Sequence, residues 1–575
     1  MRDVKNTAGT TAGTATGTTE SVAADAAART AENAVENTTV SAAASIAART
    51  NASITILDST LRDGAQGEEI SFSVNDKLRI VELLDAFGLD YIEAGNPGSN
   101  QKDLTFFERA ATLELQTAQL CAFGATRRCN TTVEQDENIQ SLLAAQTPVV
   151  VIFGKSSLLH VNEILKTTPA ENLKMISETV SFFKSHGKTV IYDAEHYFDG
   201  YFASEQDAQY ALSTLEAACQ AGADIVTLCD TNGGMLPSQV FEATCVPAEI
   251  LPAHVPLGIH AHNDSGCAVA NSLMALDAGA THVQGTFIGF GERCGNADLT
   301  AILPAIKLKM ERSCAGDLER LSETASAVAE IANVILPNSK PYVGTSAFAH
   351  KAGMHADGVL KNSVSFEHIN PTLVGNERHF LVSEVSGRGG VLERVRGFAP
   401  ELTKETPELA AILERLKELE YAGYQFEAAD ASFELMAKRV LGTYIPHFSV
   451  TFYKTMGEFP AGSDDLPSTA TIEIEVDGST EIAAAKGRGP VHALDNALRK
   501  ALVVFYPQLN DMQLVDYKVR VLEQKAATAA SVRVLIESTD GHSHWTTIGV
   551  SDDILEASFI ALVDSLEYKL AKDAG

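Results

Sequence analysis

Pro256-Leu-Gly-Ile-His-Ala-His262, a helical pattern over 267–278 closed by Gly279, then His282-Val-Gln-Gly-Thr-Phe-Ile288: this stretch decides the fold. A short apolar run ending in polar residues, an amphipathic segment stopped by glycine and a second apolar run make one strand–helix–strand unit. The alternation extends towards the N-terminus at an even pitch. Candidate strands lie at 54–60, 90–95, 119–124, 148–154, 189–194, 224–230, 256–262 and 282–288, with helical patterns such as 77–84, 171–185 and 205–220 between them. Eight such units in about 250 residues predict a closed (β/α)8 TIM barrel rather than an open doubly wound sheet, which would advertise a nucleotide fingerprint.

Catalytic residues of such barrels sit at the C-terminal ends of strands and in the loops that follow. Polar residues collect there. Arg62 and Asp63 follow the first strand, Glu93 ends the second, Glu195 and His196 end the fifth, and Asp230 and Thr231 end the sixth. His260 and His262 end the seventh, and Glu292, Arg293 and Asn296 follow the eighth. Two residues apart on a strand, His260 and His262 share one face and can reach a common ion. The pair alone fits a core strand as well as a metal site; Asp63, a hard oxygen ligand, shifts the balance to metal. One carboxylate and two imidazoles leave positions open, as Lewis-acid catalysis requires. Such a donor set suits Mn²⁺ or Zn²⁺ and tolerates Mg²⁺.

Composition excludes other classes. The chain has 575 residues, 45% of them hydrophobic, enough for a large core and at least one further domain. Lys and Arg number 44 against 75 Asp and Glu, a net charge of -31, which argues against nucleic acid or an anionic membrane as partner. The eight cysteines show no close C-x-x-C spacing, so reduced thiols and a cytoplasmic setting are expected. No apolar run approaches the ~20 residues of a membrane span. Residues 1–52 are rich in Ala, Thr, Asn and Ser and read as a disordered tail, too acidic for a transit peptide.

Beyond the barrel (53–312), residues 313–439 read as helical linker subdomains, and 440–575 as a C-terminal α/β domain with an internal repeat. Ile472, Ile474 and Val476 alternate with acids, Asp477-Gly478 marks a turn, and Pro490 opens a helix. The same order returns 63 residues later with Val532–Ile536, Asp540-Gly541 and a helix from about 554 to 570.

Five motifs carry a family resemblance. They are Asp58-Ser-Thr-Leu-Arg62-Asp63-Gly64-Ala-Gln66, His260-Ala-His262-Asn263-Asp264, Gly289-Phe-Gly291-Glu292-Arg293-Cys-Gly295-Asn296, Gly353-Met-His355-Ala-Asp357-Gly358 and Gly487-Arg-Gly489-Pro490. From about residue 53 onwards the chain resembles the α-isopropylmalate, homocitrate and citramalate synthase family. Gly154-Lys-Ser-Ser, Tyr421-Ala-Gly-Tyr424 and Glu556-Ala-Ser558 look closest to the bacterial (R)-citramalate branch. The resemblance implies a metal-dependent Claisen condensation of acetyl-CoA with pyruvate, followed by thioester hydrolysis.

It also implies roles. Asp63, His260, His262 and Asn296 would hold the divalent cation; Arg62 would stabilise developing negative oxygen; Thr231 would bind the keto-acid carboxylate; and His160 would serve proton relay or CoA handling. Glu195 and His355 are both candidates for the general base. A homodimer with isoleucine as feedback effector is implied, with the effector carboxylate at the helix start formed by Gly487, Gly489 and Pro490. One departure is Phe366, where related synthases place Tyr. Three alternatives stand beside this: the same chemistry on 2-ketoisovalerate, a lyase on the same barrel, or a silent barrel that only binds amino acids.

Overall fold

A computed structural model describes Arg49 and residues 52–351, 353–381, 388–457, 467–522 and 530–574. The expected tail over 1–52 lies, apart from Arg49 and Ala52, outside the described residues. The chain divides into two compact units, one running to Ala347 and including Pro371–Asn376, the other comprising Phe348–Asn370 and Glu377–Gly575.

In the first unit eight parallel strands close into a barrel: β1 Thr55–Asp58, β2 Tyr91–Glu93, β3 Gln119–Ala125, β4 Val149–Lys155, β5 Thr189–Glu195, β6 Ile225–Asp230, β7 Leu257–Ala261 and β8 His282–Gly285. Closure is made by β1 against β8, with Asp58 opposite Gly285. Both faces of these strands are buried, against helices outside and packed side chains within, so they read as short apolar runs rather than alternating ones. Five of the eight strands hold to within a residue of the expected limits at both ends. The first, second and eighth are shorter than expected, ending at Asp58, Glu93 and Gly285.

The helices follow their local signals. The one at Val74–Phe87 begins in a capping box between Ser73 and Asp76, and ends at Gly88, whose φ of 92° is left-handed backbone that a side chain would strain. It turns Ile80, Val81, Leu84 and Phe87 onto the barrel, each buried. Burying each such side chain contributes about 1.5–3 kcal/mol.

In the second unit, helices Arg388–Val395, Pro407–Tyr421 and Asp430–Leu441 pack around Leu409, Ile412, Phe426 and Phe433. The internal repeat is present as two three-stranded antiparallel sheets, Ser449–Gly457, Ser468–Val476 and Ser479–Gly487, then Gln513–Val521, Val532–Thr539 and His544–Ser551. Each carries one helix, Pro490–Leu502 or Ile554–Asp573. The lobes share one core, in which Ile472, Ile474, Leu494 and Leu498 meet Val534, Ile536, Leu562 and Leu566. The alternation at 472–476 is realised as written: the three apolar residues are buried and the acids are not.

Candidate metal and active site

Asp63 is placed by a tight turn after β1. The Ser59 carbonyl accepts the backbone N–H groups of Arg62, Asp63 and Gly64 at 3.2, 2.9 and 3.0 Å. The turn is anchored below by buried Asp58, which accepts from the Thr60 amide and hydroxyl, while the Thr60 hydroxyl accepts from the Phe287 amide of the loop after β8. Loops from opposite ends of the barrel sequence are thereby joined at the rim.

Asp63 Oδ2 stands 3.5 Å from His260 Nε2 and 3.8 Å from His262 Nε2, and all three residues are buried. His260 belongs to β7, whereas His262 lies one residue past its end and bridges to Asn296. Asn296 Nδ2 donates to Asp63 Oδ1 at 3.0 Å. That approach depends on Gly291, since a Cβ there would come within 2.2 Å of the Asn296 amide.

These residues fit a divalent cation. Oxygen and imidazole donors converge within 4.8 Å of one another. The Asn296 Oδ1 and His262 Nδ1 atoms are buried without a hydrogen bond, a cost accepted at functional sites more often than in cores. Burial alone would raise the Asp63 carboxyl, but Arg62 and the two imidazoles outweigh it and hold Asp63 well below the usual carboxylate range. Burial, reinforced by His260, lowers the His262 imidazole to about 4, leaving it neutral as a ligand must be.

Beside the cluster is a cavity of about 260 Å³ lined by Arg62, Asp63, Gln66, Phe123, Phe153, Asp193, Glu195, Cys229, Thr231, His260, His262 and Glu292. Arg62 lies over the Phe123 ring at 3.8 Å, and its Nε donates to Glu93 at 2.6 Å. Glu93 also accepts from the Ser59 hydroxyl, so it orients Arg62 and does not enter the cavity. Glu195 lines the cavity in an ion pair with Lys155. The Thr231 hydroxyl accepts from the His196 amide at 2.8 Å.

Other expected residues are not among those lining this cavity. His160 does not line the cavity; its ring stacks on that of His196 with 3.6 Å between centroids, on the segment after β4. His355 lies in the second unit, exposed, with its ring 4.2 Å from that of Phe366. Gly487 ends a strand where a Cβ would come within 2.3 Å of the Ala493 amide, Gly489 caps the next helix and Pro490 is its first residue. Arg293 and Asp264 pin the rim: the guanidinium meets the carboxylate at 2.8 and 3.0 Å and the Thr231 carbonyl at 2.9 Å.

Sequence reasoning passed over Asp193, Lys155 and Gln284. Asp193 is two residues before Glu195 on β5, a spacing that puts both on one face and was available as a signal. Burial, then Glu93, raises its carboxyl to about 7. A larger groove of about 850 Å³ runs outside the barrel, but two of its three acids, Glu171 and Glu178, are already paired with Arg127.

A closed parallel barrel with an aspartate and two histidines at its C-terminal rim defines an HMGL-like enzyme, and the HMGL-like family model matches residues 53–328. Residues 342–423 match the homocitrate synthase post-HMGL domain-like family and 427–570 the LeuA allosteric (dimerisation) domain. The (R)-citramalate synthase of Aquifex aeolicus is 52% identical, over 90% of this chain and 98% of that one. Those of Geobacter sulfurreducens and Streptomyces coelicolor are 49% and 43% identical, each over 90% of this chain and 98% and 97% of theirs. The chain belongs to the (R)-citramalate synthase family.

Proposed function

We propose that this enzyme condenses acetyl-CoA with pyruvate and hydrolyses the product thioester to (R)-citramalate and free CoA. The observation that carries the chemistry is the convergence of Asp63, His260 and His262 beside Arg62 in one cavity; high identity to citramalate synthases over nearly their whole length supports the substrates.

Asp63, His260 and His262 are the ligand set, with Asn296 completing it. The bound cation, Mn²⁺, Mg²⁺ or Zn²⁺, supplies Lewis-acid polarisation of a ketone oxygen. Thr231 and the rim loop bind the keto-acid carboxylate. Glu195, a carboxylate in the cavity, accepts the methyl proton of acetyl-CoA; His355 is the alternative acceptor. The carbanion carbon bonds to the ketone carbon, and the oxygen that gains charge receives hydrogen bonds from Arg62, then a proton. Water then cleaves the thioester, and the CoA sulfur leaves with a proton. The stacked Phe123 and Phe153 rings, 5.1 Å apart, form an apolar wall that suits a keto acid with a small side chain.

Residues 440–575 serve as the dimerising, regulatory part, with isoleucine as effector near Gly487, Gly489 and Pro490, at the start of the helix Pro490–Leu502, whose positive dipole end suits a carboxylate. Among the described residues no helix is long and apolar enough to cross a membrane, and all eight cysteines are unpaired, which supports a reduced cytoplasmic setting.

CoA release measured with pyruvate, 2-ketoisovalerate and 2-ketoglutarate tests the assignment. Turnover is expected with pyruvate; its absence there, with release from either of the others, overturns the substrate.

A further inference from the structure

Gln284 is the third residue of β8 and is fully buried. Three partners hold its amide. Nε2 donates to Asp193 Oδ1 at 2.8 Å and to Thr227 Oγ1 at 3.1 Å, while Oε1 stands 3.0 Å from His260 Nδ1. An amide nitrogen carries two hydrogens and both are used; a carboxylate accepts, so the nitrogen end of Gln284 faces Asp193 and the oxygen end faces His260. An amide oxygen cannot donate, so the imidazole nitrogen opposite must carry the proton.

We propose that Gln284 is a positioning residue that holds His260 in its Nδ1–H form, leaving the Nε2 lone pair directed to the Asp63 side of the site, 3.5 Å from that carboxylate, to receive a divalent cation. Metal-bound histidines are commonly oriented by an acceptor on the second ring nitrogen, and losing it weakens metal binding. His262 lacks this provision, because its Nδ1 is buried without a hydrogen bond. The fold therefore prearranges one imidazole and leaves the other to be ordered by the ion. The acceptor chain continues to Asp193, which lines the cavity, so the ligand geometry and the substrate cavity share one hydrogen-bonded row from His260 through Gln284 to Asp193.

This rests on the assignment of Asp63, His260 and His262 as ligands, and the experiment separates the two claims. Mn²⁺ affinity, read from the electron paramagnetic resonance signal of free ion, is compared in wild type, Asp63→Ala, Gln284→Leu and the exchange Asp193→Asn/Gln284→Glu. In the exchange, the introduced carboxylate still accepts from His260 while the introduced amide donates to that carboxylate. Gln284→Leu is expected to weaken binding by about 10–100-fold, and the exchange to restore it to wild-type strength or tighter. Wild-type affinity in Gln284→Leu, or an exchange as weak as Gln284→Leu, overturns the role of Gln284. Failure of wild type to bind, or full binding by Asp63→Ala, overturns the metal assignment itself. If circular dichroism shows Gln284→Leu unfolded, Gln284→Met, of closely similar shape, takes its place in the comparison.

Discussion

Asn296 donates to Asp63 across 233 residues of sequence, Nδ2 to Oδ1 at 3.0 Å, and its own Oδ1 is buried with no hydrogen-bond partner. The amide thus occupies one oxygen of the carboxylate, while the other accepts from Arg62 Nη1 at 2.8 Å and faces both histidines. An arrangement that leaves a buried amide oxygen bare is costly as a core and sensible as a metal site.

Asp63→Ala and His262→Ala should each abolish Mn²⁺ binding and citramalate formation while the protein stays folded, because the ligands lie on the rim and not in the barrel's apolar layers. Titration with Mn²⁺ and a CoA-release assay check this, with circular dichroism as the control. Normal turnover in either variant would remove the metal assignment.

Arg62→Ala should lower turnover by about 10²–10³ while metal still binds, the typical effect of losing one donor to developing charge. It should also destabilise the protein, since Glu93 is fully buried and loses its guanidinium partner. Breaking such a pair costs about 3–5 kcal/mol. Adding Glu93→Gln should recover stability in urea titrations but leave turnover low. Recovery of turnover as well would make Arg62 structural.

His282 has its imidazole pressed down to about 3 by burial, against an ordinary value near 6.5. The folded state therefore prefers the neutral ring and the unfolded state takes up the proton first. Stability linked to this group is complete above pH 6.5 and falls as the pH drops towards 3, by about 1.4 kcal/mol per unit. His282→Gln should show a shallower loss of urea midpoint between pH 7.5 and 5.5 than wild type. Equal slopes would contradict the shift.

Phe366 is stacked against His355, at a position where the family resemblance implies a Tyr. Phe366→Tyr should leave kcat unchanged or raise it, and Phe366→Ala should lower it through loss of the stacked ring. A clear loss with Tyr would show that the surroundings have repacked around Phe.

Isoleucine, and not leucine, should inhibit the full-length enzyme. Gly487→Ala should remove that inhibition and spare basal turnover, because a Cβ there meets the Ala493 amide at the helix start. Removal of everything after about residue 435 is a poorer test than it looks from sequence. It would cut the helix Asp430–Leu441 and strip Ile548 from the core that holds Phe426 and Phe433. Inhibition that survives in Gly487→Ala would displace the effector from this loop.

The barrel was legible in the sequence because its signals are local: short apolar runs, helix periodicity and glycine stops recur with each unit, and the polar residues at strand ends mark one rim. Asp63, His260, His262, Arg62, Glu195 and Thr231 could be named that way. The repeat was legible for the same reason, since Ile472, Ile474 and Val476 write their buried face into the alternation. Tertiary structure alone decided which rim residues meet. That Glu93 serves Arg62, that Gln284 joins His260 to Asp193, and that His160 turns away from the cavity onto His196 depend on contacts 24 to 91 residues apart. Such contacts arise when β1 closes against β8 and rotates every strand end about a common axis, a geometry that no local pattern of side chains encodes.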